Sequence, residues 1–295
     1  MIELCWIGEK SSKKEAIQNL TGCSGQLLKR YFSSKELNRE INTKSLLNLP
    51  LDLVNHLRIN PIYEGPAVKI IDENDKYLAV HKPPGIHCHP LKYSDQNTLL
   101  NFLVTNKNWS ALDVNQDHYD RGLLYRLDFE TSGILIVAKD PNFFQSMRNQ
   151  FGEMVKRKLY LTIVEGDFNQ EGLWTHYFRA TGIKGSKQKV SSDFHPDSDE
   201  AILKVKKLAT AENKSLLLVH LKTGLRHQIR AQLSFLGFPI LGDELYGGKK
   251  AERLFLHAFL YDWGTEVLDE EAELFDRFFD LHSTLKVSHD VLRIF

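Results

Sequence analysis

Arg126 and Asp128 stand two positions apart in the segment LYRLDFETSGILIVAK, which spans residues 124–139. A carboxylate beside a guanidinium stays ionised and is held in one orientation, and both properties suit a nucleophile. The segment then passes through a turn of small residues into an apolar run that is typical of a strand. Because such a pair before a turn is more often a structural ion pair than an active site, the role of Asp128 depends on the motifs that accompany it.

Three further motifs follow Asp128 along the chain. KLY occupies residues 158–160, TGLRHQIR residues 223–230 and GDELYG residues 242–247. Together, and in this order, the motifs resemble those of the RNA pseudouridine synthases of the large-subunit rRNA and tRNA group, usually called the RluA family. The resemblance implies site-specific isomerisation of uridine to pseudouridine in structured RNA, either rRNA or tRNA, with no cofactor and no metal.

The resemblance assigns three residues to the reaction. Asp128 is the catalytic carboxylate, which either attacks the sugar or the ring or removes a sugar proton to give a glycal, and the sequence does not separate these routes. Arg230 pairs with this carboxylate and holds it in place. Tyr160 lies against the target uracil and moves the proton at C5. Plainer alternatives remain for Asp128, as a structural ion pair or helix cap, and for Tyr160, as a core tyrosine in a strand.

Three more residues are predicted to bind the substrate. Arg126 holds the RNA and takes the place of the displaced nucleotide, Lys158 neutralises a phosphate or supports the pocket floor, and Leu256 packs beside the base. An exposed arginine and a core leucine are the plainer alternatives for the first and the last. A uridine inside a stem must be extruded before it can react, so basic loops are expected to grip the flanking phosphates.

Other parts of the family pattern are predicted to be structural. KPPG at residues 82–85 resembles the family's K-P-x-G motif and predicts a turn, and residues 242–247 predict a scaffold loop near the pocket. Two positions depart from the pattern. Tyr125 precedes R-L-D where His, Asn or Asp is usual, and Leu225 follows T-G where Arg is usual. Both departures are expected to change which RNA is chosen or how its backbone is held.

Other classes of function fit less of the sequence. HCH at residues 87–89 contains zinc ligand types, but alternate residues of an extended segment point to opposite sides and no second ligand pair follows at a familiar spacing. A hydrolase is disfavoured because no G-x-S-x-G motif is present. The remaining alternative is a catalytically inactive RNA-binding protein that retains the fold. The joint presence of Asp128, Tyr160 and Arg230 argues against it.

The surrounding pattern predicts the elements that position these residues. Strand-like runs that flank turn residues predict a hairpin early in the catalytic region, and helices alternate with further strands. The predicted strands cover residues 68–71, 77–80, 160–164, 201–205 and 216–221. The predicted helices begin after Thr98, at Asp140-Pro141 with Phe144, Met147 and Phe151 on one face, and at Arg226 before Gly237 and Pro239. This order predicts an α+β fold, a mixed, mainly antiparallel sheet with surrounding helices.

The two ends of the chain resemble the family poorly. Residues 1–64 predict a small N-terminal extension with short helices near residues 25–32, 41–44 and 51–54, and residues 65–295 predict the catalytic domain. The family often carries an S4-type RNA-binding module here. The extension is either a degenerate version of it or a segment that packs on the catalytic domain without contacting RNA. Near the C-terminus, Leu268, Ala272, Phe275 and Phe279 recur at helical spacing and predict a surface helix.

Composition sets wider limits. The chain has 295 residues, 42% of them hydrophobic, and its 38 Lys and Arg balance 38 Asp and Glu. A net charge of zero neither favours nor excludes nucleic acid, because opposite faces can carry opposite charges. The sequence contains no apolar run of about 18 residues and its start lacks the pattern of a secretory signal, so a cytoplasmic location with no membrane association is expected. A monomer without an obligatory protein partner is the default expectation. Three widely spaced cysteines predict reduced thiols.

Overall fold

The structure is a computed structural model that describes residues 1–55, 58–149, 155–182 and 187–268, together with Phe275 and Phe279. Internal packing divides the chain into two compact units. The first consists of Met1–Gly65 and His89–Arg121, and the second of Pro66–Cys88 and Gly122–Phe295. The domain boundary that the sequence predicts at residue 65 remains a prediction.

The N-terminal segment of the first unit forms short elements around a small core that includes Trp6, Ile17, Leu28 and Leu49. Two pairs of strands are antiparallel: β1 with β4, and β2 with β3. The elements are β1 (Ile2–Cys5), β2 (Ser11–Ser12), α1 (Lys13–Thr21), α2 (Gly25–Leu28), α3 (Ser34–Leu37), β3 (Glu40–Ile41), β4 (Leu46–Leu49) and α4 (Leu51–Val54).

Local residue chemistry explains where these short elements begin and end. Ser12 forms a capping box that starts α1, in which its hydroxyl accepts the N–H of Glu15 and the Glu15 carboxylate accepts the N–H of Ser12. The helix predicted near residues 25–32 is present in shortened form as α2, and the helix predicted at residues 51–54 is present as α4. The helix predicted at residues 41–44 is wrong, because Ile41 ends a strand and Lys44 adopts a left-handed φ of 67° that a helix does not accommodate.

Two helices complete the first unit, α5 (Leu99–Thr105) and α6 (Trp109–Asp113). The Thr98 hydroxyl accepts the N–H of Asn101, and the Asn101 side chain accepts the N–H of Thr98. This confirms the predicted cap. Asn101 also donates to the carbonyl of Asn60 at 2.8 Å, which joins α5 to the end of the N-terminal segment.

One large sheet dominates the second unit. Among the described residues it contains ten strands, in the spatial order β10-β9-β11-β12-β8-β13-β7-β6-β5, with β14 also paired to β13. They are β5 (Lys69–Glu73), β6 (Tyr77–Lys82), β7 (Ser132–Ala138), β8 (Arg157–Glu165), β9 (Gly172–Thr181), β10 (Lys187–Ser191), β11 (Asp199–Ala211), β12 (Lys214–Leu221), β13 (Leu256–Asp262) and β14 (Glu266–Leu268). Within the described ranges, β13 runs parallel to β7 and every other pairing is antiparallel. The predicted α+β fold with a mainly antiparallel sheet is confirmed.

In the described part of this unit, two helices accompany the sheet, α7 (Pro141–Asn149) and α8 (Gln228–Phe235), together with a 3₁₀ turn at Glu244–Tyr246. Phe144 and Met147 are the buried residues of α7, as predicted, whereas Phe151 lies outside the described residues. Helix α8 begins two residues later than predicted, because His227 adopts a left-handed φ of 54° at its N-cap.

The end of the chain can be compared with its prediction at a few positions. Leu268 ends β14, and Phe275 and Phe279 belong to a buried cluster with residues of β8 and β12. The rest of the predicted C-terminal helix lies outside the described residues. In the part of the chain that the structure describes, no helix is both long enough and apolar enough to cross a membrane.

Candidate active site

Asp128 lies in a turn before β7, and its backbone is held on the N-terminal side by Cys88. The N–H of Leu127 donates to the Cys88 sulfur at 3.3 Å, and the thiol donates back to the Leu127 carbonyl at 3.3 Å. Cys88 is buried, and this burial raises the pKa of its thiol. The thiol therefore serves here as a protonated hydrogen-bonding group.

The backbone on the C-terminal side of Asp128 is held by the segment that ends β6. The carbonyl of Phe129 accepts the N–H of Gly85 at 2.8 Å and the ammonium of Lys82 at 3.3 Å. Lys82 is fully buried and also donates to the carbonyls of Pro83 and Ile86, while burial lowers its pKa to about 8. Residues 82–85 thus form the structural turn that was predicted, and that turn supports the Asp128 loop.

Arg230, in α8, reaches three carboxylates. Its Nε and Nη2 donate to the two oxygens of Asp243 at 2.8 and 2.9 Å, a bidentate pair with a fully buried partner. Its Nη1 lies 3.3 Å from Oδ2 of Asp128 and 3.2 Å from Oε2 of Glu130. Burial disfavours the charge of Arg230, but the hydrogen bonds and charges of Asp243 outweigh it, and the net effect raises the pKa of the guanidinium. Arg230 is therefore permanently charged, and Asp243 fixes its orientation.

Strand β8 separates a core face from a polar face. Leu159, Leu161 and Ile163 belong to the buried core cluster, so the alternate residues Lys158 and Tyr160 lie on the opposite face. In register, Tyr160 stands opposite Val219 of β12 and Ala258 of β13, and Leu256 stands opposite Thr162. The fold thus brings Lys158, Tyr160 and Leu256, which were all singled out in the sequence, to one face of neighbouring strands.

Gly133 permits the close approach of β13 to the strand that follows Asp128. Its φ of 113° favours glycine, and a Cβ at this position would come within 2.3 Å of the Ala258 carbonyl oxygen. Ala258 is also the register partner of Tyr160. The glycine of the T-S-G turn therefore helps to bring the Asp128 loop and the Tyr160 face together.

The environment of Tyr160 keeps its phenol protonated. The residue is 6% exposed, and burial raises its pKa, with the charge of Asp128 adding to the shift. Because Ala258 of β13 pairs with both Gly133 and Tyr160, Tyr160 lies two strands away from the strand that follows Asp128. The arrangement thus joins a carboxylate, a guanidinium and a neutral phenol at one site.

The three predicted substrate-binding residues differ in accessibility. Leu256 is 3% exposed and Lys158 8% exposed, and burial followed by the charge of Lys222 lowers the pKa of Lys158 to about 8. Arg126, by contrast, is exposed on the Asp128 loop. Solvent can therefore reach Arg126 more easily than either of the strand residues.

Both departures from the family pattern are accommodated by packing. Tyr125 stacks on Tyr261 with ring centroids 4.3 Å apart, and its hydroxyl donates to the Ile134 carbonyl at 3.0 Å. Leu225 packs against a small cluster that contains Phe178 and Tyr246. Their expected effect on which RNA is chosen remains a prediction.

Several groups of this site were not predicted from the sequence. Asp243 was expected only to shape a loop, yet it provides the principal contact to Arg230. Glu130 and His227 were not assigned, although Glu130 contacts Arg230 and His227 Nε2 lies 3.9 Å from Oδ1 of Asp128. All three residues lie within the motif segments, and this was the one sign of their role in the sequence. A motif does not show which of its side chains contact each other.

The sequence is similar to a known protein family and to curated relatives. The family described as RNA pseudouridylate synthase matches residues 76–235, just over half of the chain. Ribosomal large subunit pseudouridine synthase D of Borreliella burgdorferi is 32% identical over 197 residues, which are 65% of this chain and 60% of that protein. The protein of the same name from Zymomonas mobilis is 28% identical over 195 residues, 66% of this chain and 61% of the relative. The matches thus span about three fifths of these relatives.

Solved structures agree on the fold. Human RNA Pseudouridylate Synthase Domain Containing 1 superposes with a TM-score of 0.58 at 23% identity, covering 78% of this chain and 96% of that one. Human RNA Pseudouridylate Synthase Domain Containing 4 gives a TM-score of 0.55 at 20% identity, covering 74% and 93%. The resemblance found in the motifs is confirmed, and the chain belongs to the RNA pseudouridylate synthase family.

Proposed function

We propose that this protein isomerises uridine to pseudouridine in structured RNA, with Asp128 as the catalytic carboxylate. The observation that carries the proposal is the pair of Asp128 and Arg230, with the buried Tyr160 in the same sheet as the strand that follows Asp128. A carboxylate fixed by a guanidinium has a defined direction of attack, and positioning of this kind contributes strongly to rate. The reaction needs no external reactant, since the product contains the same atoms as the substrate.

The proposed chemistry begins at the link between N1 of the base and C1′ of the sugar. Asp128 either attacks the sugar or the ring or removes a sugar proton, and in each route the N1–C1′ bond breaks. The uracil then turns in the pocket and C5 bonds to C1′. In this step or after it, the bond to Asp128 breaks or the removed sugar proton returns. The C5 proton finally leaves and N1 gains a proton. Tyr160 already carries its hydroxyl proton, so it can accept the C5 proton only if it gives up its own proton at the same time.

The substrate-binding residues have separate proposed roles. Leu256 would pack beside the base, and Lys158 would neutralise a phosphate or support the pocket floor. Arg126, exposed next to Asp128, would hold the RNA where the target nucleotide has left the helix. Stacking of a base on an aromatic ring is worth about 1–3 kcal/mol, which helps to offset the cost of extruding the nucleotide.

We propose large-subunit rRNA as the first substrate to test, with tRNA as the alternative, and the cytoplasm as the place of action. The printed names of two relatives, which refer to the large ribosomal subunit, support this choice. Residues 1–64 have two proposed roles. They form either an S4-like module that binds the same RNA or a segment that packs on the catalytic domain without contacting RNA.

Two measurements test the proposed function together. Purified protein is incubated with rRNA and tRNA transcripts, and pseudouridine is mapped in RNA from cells with and without the gene. We expect conversion of defined uridines in rRNA without any added cofactor, and loss of the same sites in cells that lack the gene. Conversion in tRNA alone would correct the target. RNA binding without pseudouridine on any transcript would overturn the catalytic proposal in favour of an inactive RNA-binding protein.

A further inference from the structure

The two oxygens of Asp128 have different neighbours. Oδ2 lies 3.3 Å from Nη1 of Arg230, while Oδ1 faces Nε2 of His227 at 3.9 Å. Asp243 accepts hydrogen bonds from Nε and Nη2, the other two nitrogens of the Arg230 guanidinium, and so holds the guanidinium in its orientation. Oδ1 therefore faces His227, whereas Oδ2 faces Arg230.

His227 is held in a conformation that residues other than glycine adopt infrequently. Its φ is 54°, it immediately precedes α8, and its side chain is 9% exposed. Such backbone strain persists where the surroundings fix the residue in place. Here Tyr246 provides the fixing contact, with its hydroxyl 3.0 Å from Nδ1 and its ring perpendicular to the imidazole.

The Tyr246 hydroxyl contacts Nδ1 of His227 and so favours one tautomer of the imidazole. Its hydroxyl oxygen accepts the backbone N–H of Gln188 at 3.0 Å, and burial raises the pKa of the phenol, so the hydroxyl retains its own proton. When that proton is donated to Nδ1 of His227, the ring proton must reside on Nε2. This tautomer directs an N–H group toward Oδ1 of Asp128.

We propose that His227 is a positioning residue that holds the second oxygen of Asp128, with Tyr246 fixing the orientation and tautomer of its imidazole. The inference rests on the proposed function and deepens it. Arg230 on one oxygen and His227 on the other prevent rotation of the carboxylate about its own bond. A contact of 3.9 Å in the free protein is expected to shorten when substrate fills the site, as catalytic hydrogen bonds commonly do.

The charge state of His227 gives the proposal a pH signature. The charged groups that face the imidazole are Asp128, Glu130, Arg226 and Arg230, and the neutral hydroxyl of Tyr246 completes its surroundings. Burial lowers the pKa of His227 below its ordinary 6.5, so the ring is neutral at pH 7. As pH falls through this lowered pKa, the imidazolium forms and binds Asp128 as an ion pair. Turnover is then expected to decrease on the acid side.

Activity measurements on matched variants test this role. His227→Asn retains a residue that tolerates left-handed backbone, and Tyr246→Phe removes the hydroxyl while keeping the ring near Arg230. We expect each to lower kcat by between about tenfold and a hundredfold with KM unchanged. The double variant should be no slower than His227→Asn, because Tyr246 acts through His227. His227→Asn should also lose the acid-side decrease that follows imidazole titration.

A matched control separates positioning from general packing. His176 is likewise buried, hydrogen bonds through Nδ1 to Gln232 at 2.9 Å, and has its pKa lowered by burial. His176→Asn should leave both kcat and its pH profile unchanged. Wild-type kcat and profile in folded His227→Asn and Tyr246→Phe would overturn the proposal, as would full additivity in the double variant.

Nitrogen-15 NMR of the imidazole gives a readout that does not depend on catalysis. We expect the wild-type His227 proton on Nε2, a mixture of tautomers in Tyr246→Phe, and a further lowered His227 pKa in Asp128→Asn, because the carboxylate that favours the cation is gone. A proton on Nδ1 in the wild type would contradict the proposal. If wild-type protein forms no pseudouridine while these NMR results hold, the proposed function fails and the contact between His227 and Asp128 stands.

Discussion

The two sides of the Arg230 guanidinium differ in burial and in partner. On the inner side, Nε and Nη2 make two short hydrogen bonds to Asp243, whose side chain has no exposed surface. On the outer side, Nη1 is shared between Asp128 and Glu130, whose side chains are 23% and 48% exposed. The inner carboxylate can anchor the cation but cannot meet a substrate. The outer carboxylates can be reached, and each holds the cation through a single donor.

This difference indicates a division of labour within one ion cluster. A buried pair that loses one partner leaves an uncompensated charge, so the inner contact is expected to matter for folding. A partly exposed pair contributes little to stability, so the outer contact is available for chemistry. Substitutions on the two sides should therefore separate loss of stability from loss of activity.

The largest combined effect is expected from Asp243→Asn. It removes the anchoring charge, which should lower the free energy of unfolding by about 3–5 kcal/mol and lower activity at least tenfold through displacement of Arg230. Urea unfolding and turnover measure the two effects. Asp262→Asn is the control, because it breaks another largely buried pair, with Arg157, at 2.9 Å. A similar loss of activity in both variants would show that Asp243 has no special relation to the site.

Tyr160→Phe should have a purely catalytic effect, without the loss of stability that is expected for Asp243→Asn. The ring remains to contact the base, whereas the proton-carrying hydroxyl is lost, so kcat should decrease about a hundredfold with little change in RNA affinity. Single-turnover conversion and RNA binding are the measurements. Tyr125→Phe, which removes the hydroxyl bonded to Ile134, should retain activity. If Tyr160→Phe is as active as wild type, the phenol has no part in proton transfer.

The smallest effect is expected from Glu130→Gln. Its half-exposed carboxylate shares one Arg230 donor with Asp128, and such pairs are worth at most about 1 kcal/mol, so activity should change by less than about fivefold. Turnover of this variant is compared with that of Glu73→Gln, which breaks the ion pair with Lys139 in the same unit. A loss as large as that of Asp243→Asn would contradict the distinction between the inner and outer sides.

The same distinction explains what the sequence could predict. The periodic apolar strands, the Thr98 cap and the turn at residues 82–85 depend on neighbouring residues, and they were predicted well. Pairing of Asp128 with Arg230 came from the family resemblance, because 102 positions separate the two residues. The bidentate contact between Asp243 and Arg230 was not predicted, because the sequence does not show that a carboxylate in a loop is buried.

Other errors have equally local causes. The start of α8 was predicted at Arg226, but the helix begins at Gln228 because His227 is left-handed. No residue type in the motif indicates this backbone conformation. Ile41 was assigned to a helix, whereas pairing with Ser11 makes it part of a strand. In both cases a contact made by the folded chain overrides the local preference.

Asp128→Asn provides the most direct test of the account. The measurement is single-turnover formation of pseudouridine in the RNA that the wild-type protein modifies, with RNA affinity and urea unfolding determined on the same preparation. The account predicts no detectable product, affinity within about threefold of wild type, and a folded protein still anchored by Arg230 and Asp243. Wild-type turnover by Asp128→Asn would contradict it, because the reaction would then proceed without the carboxylate on which the proposed mechanism depends.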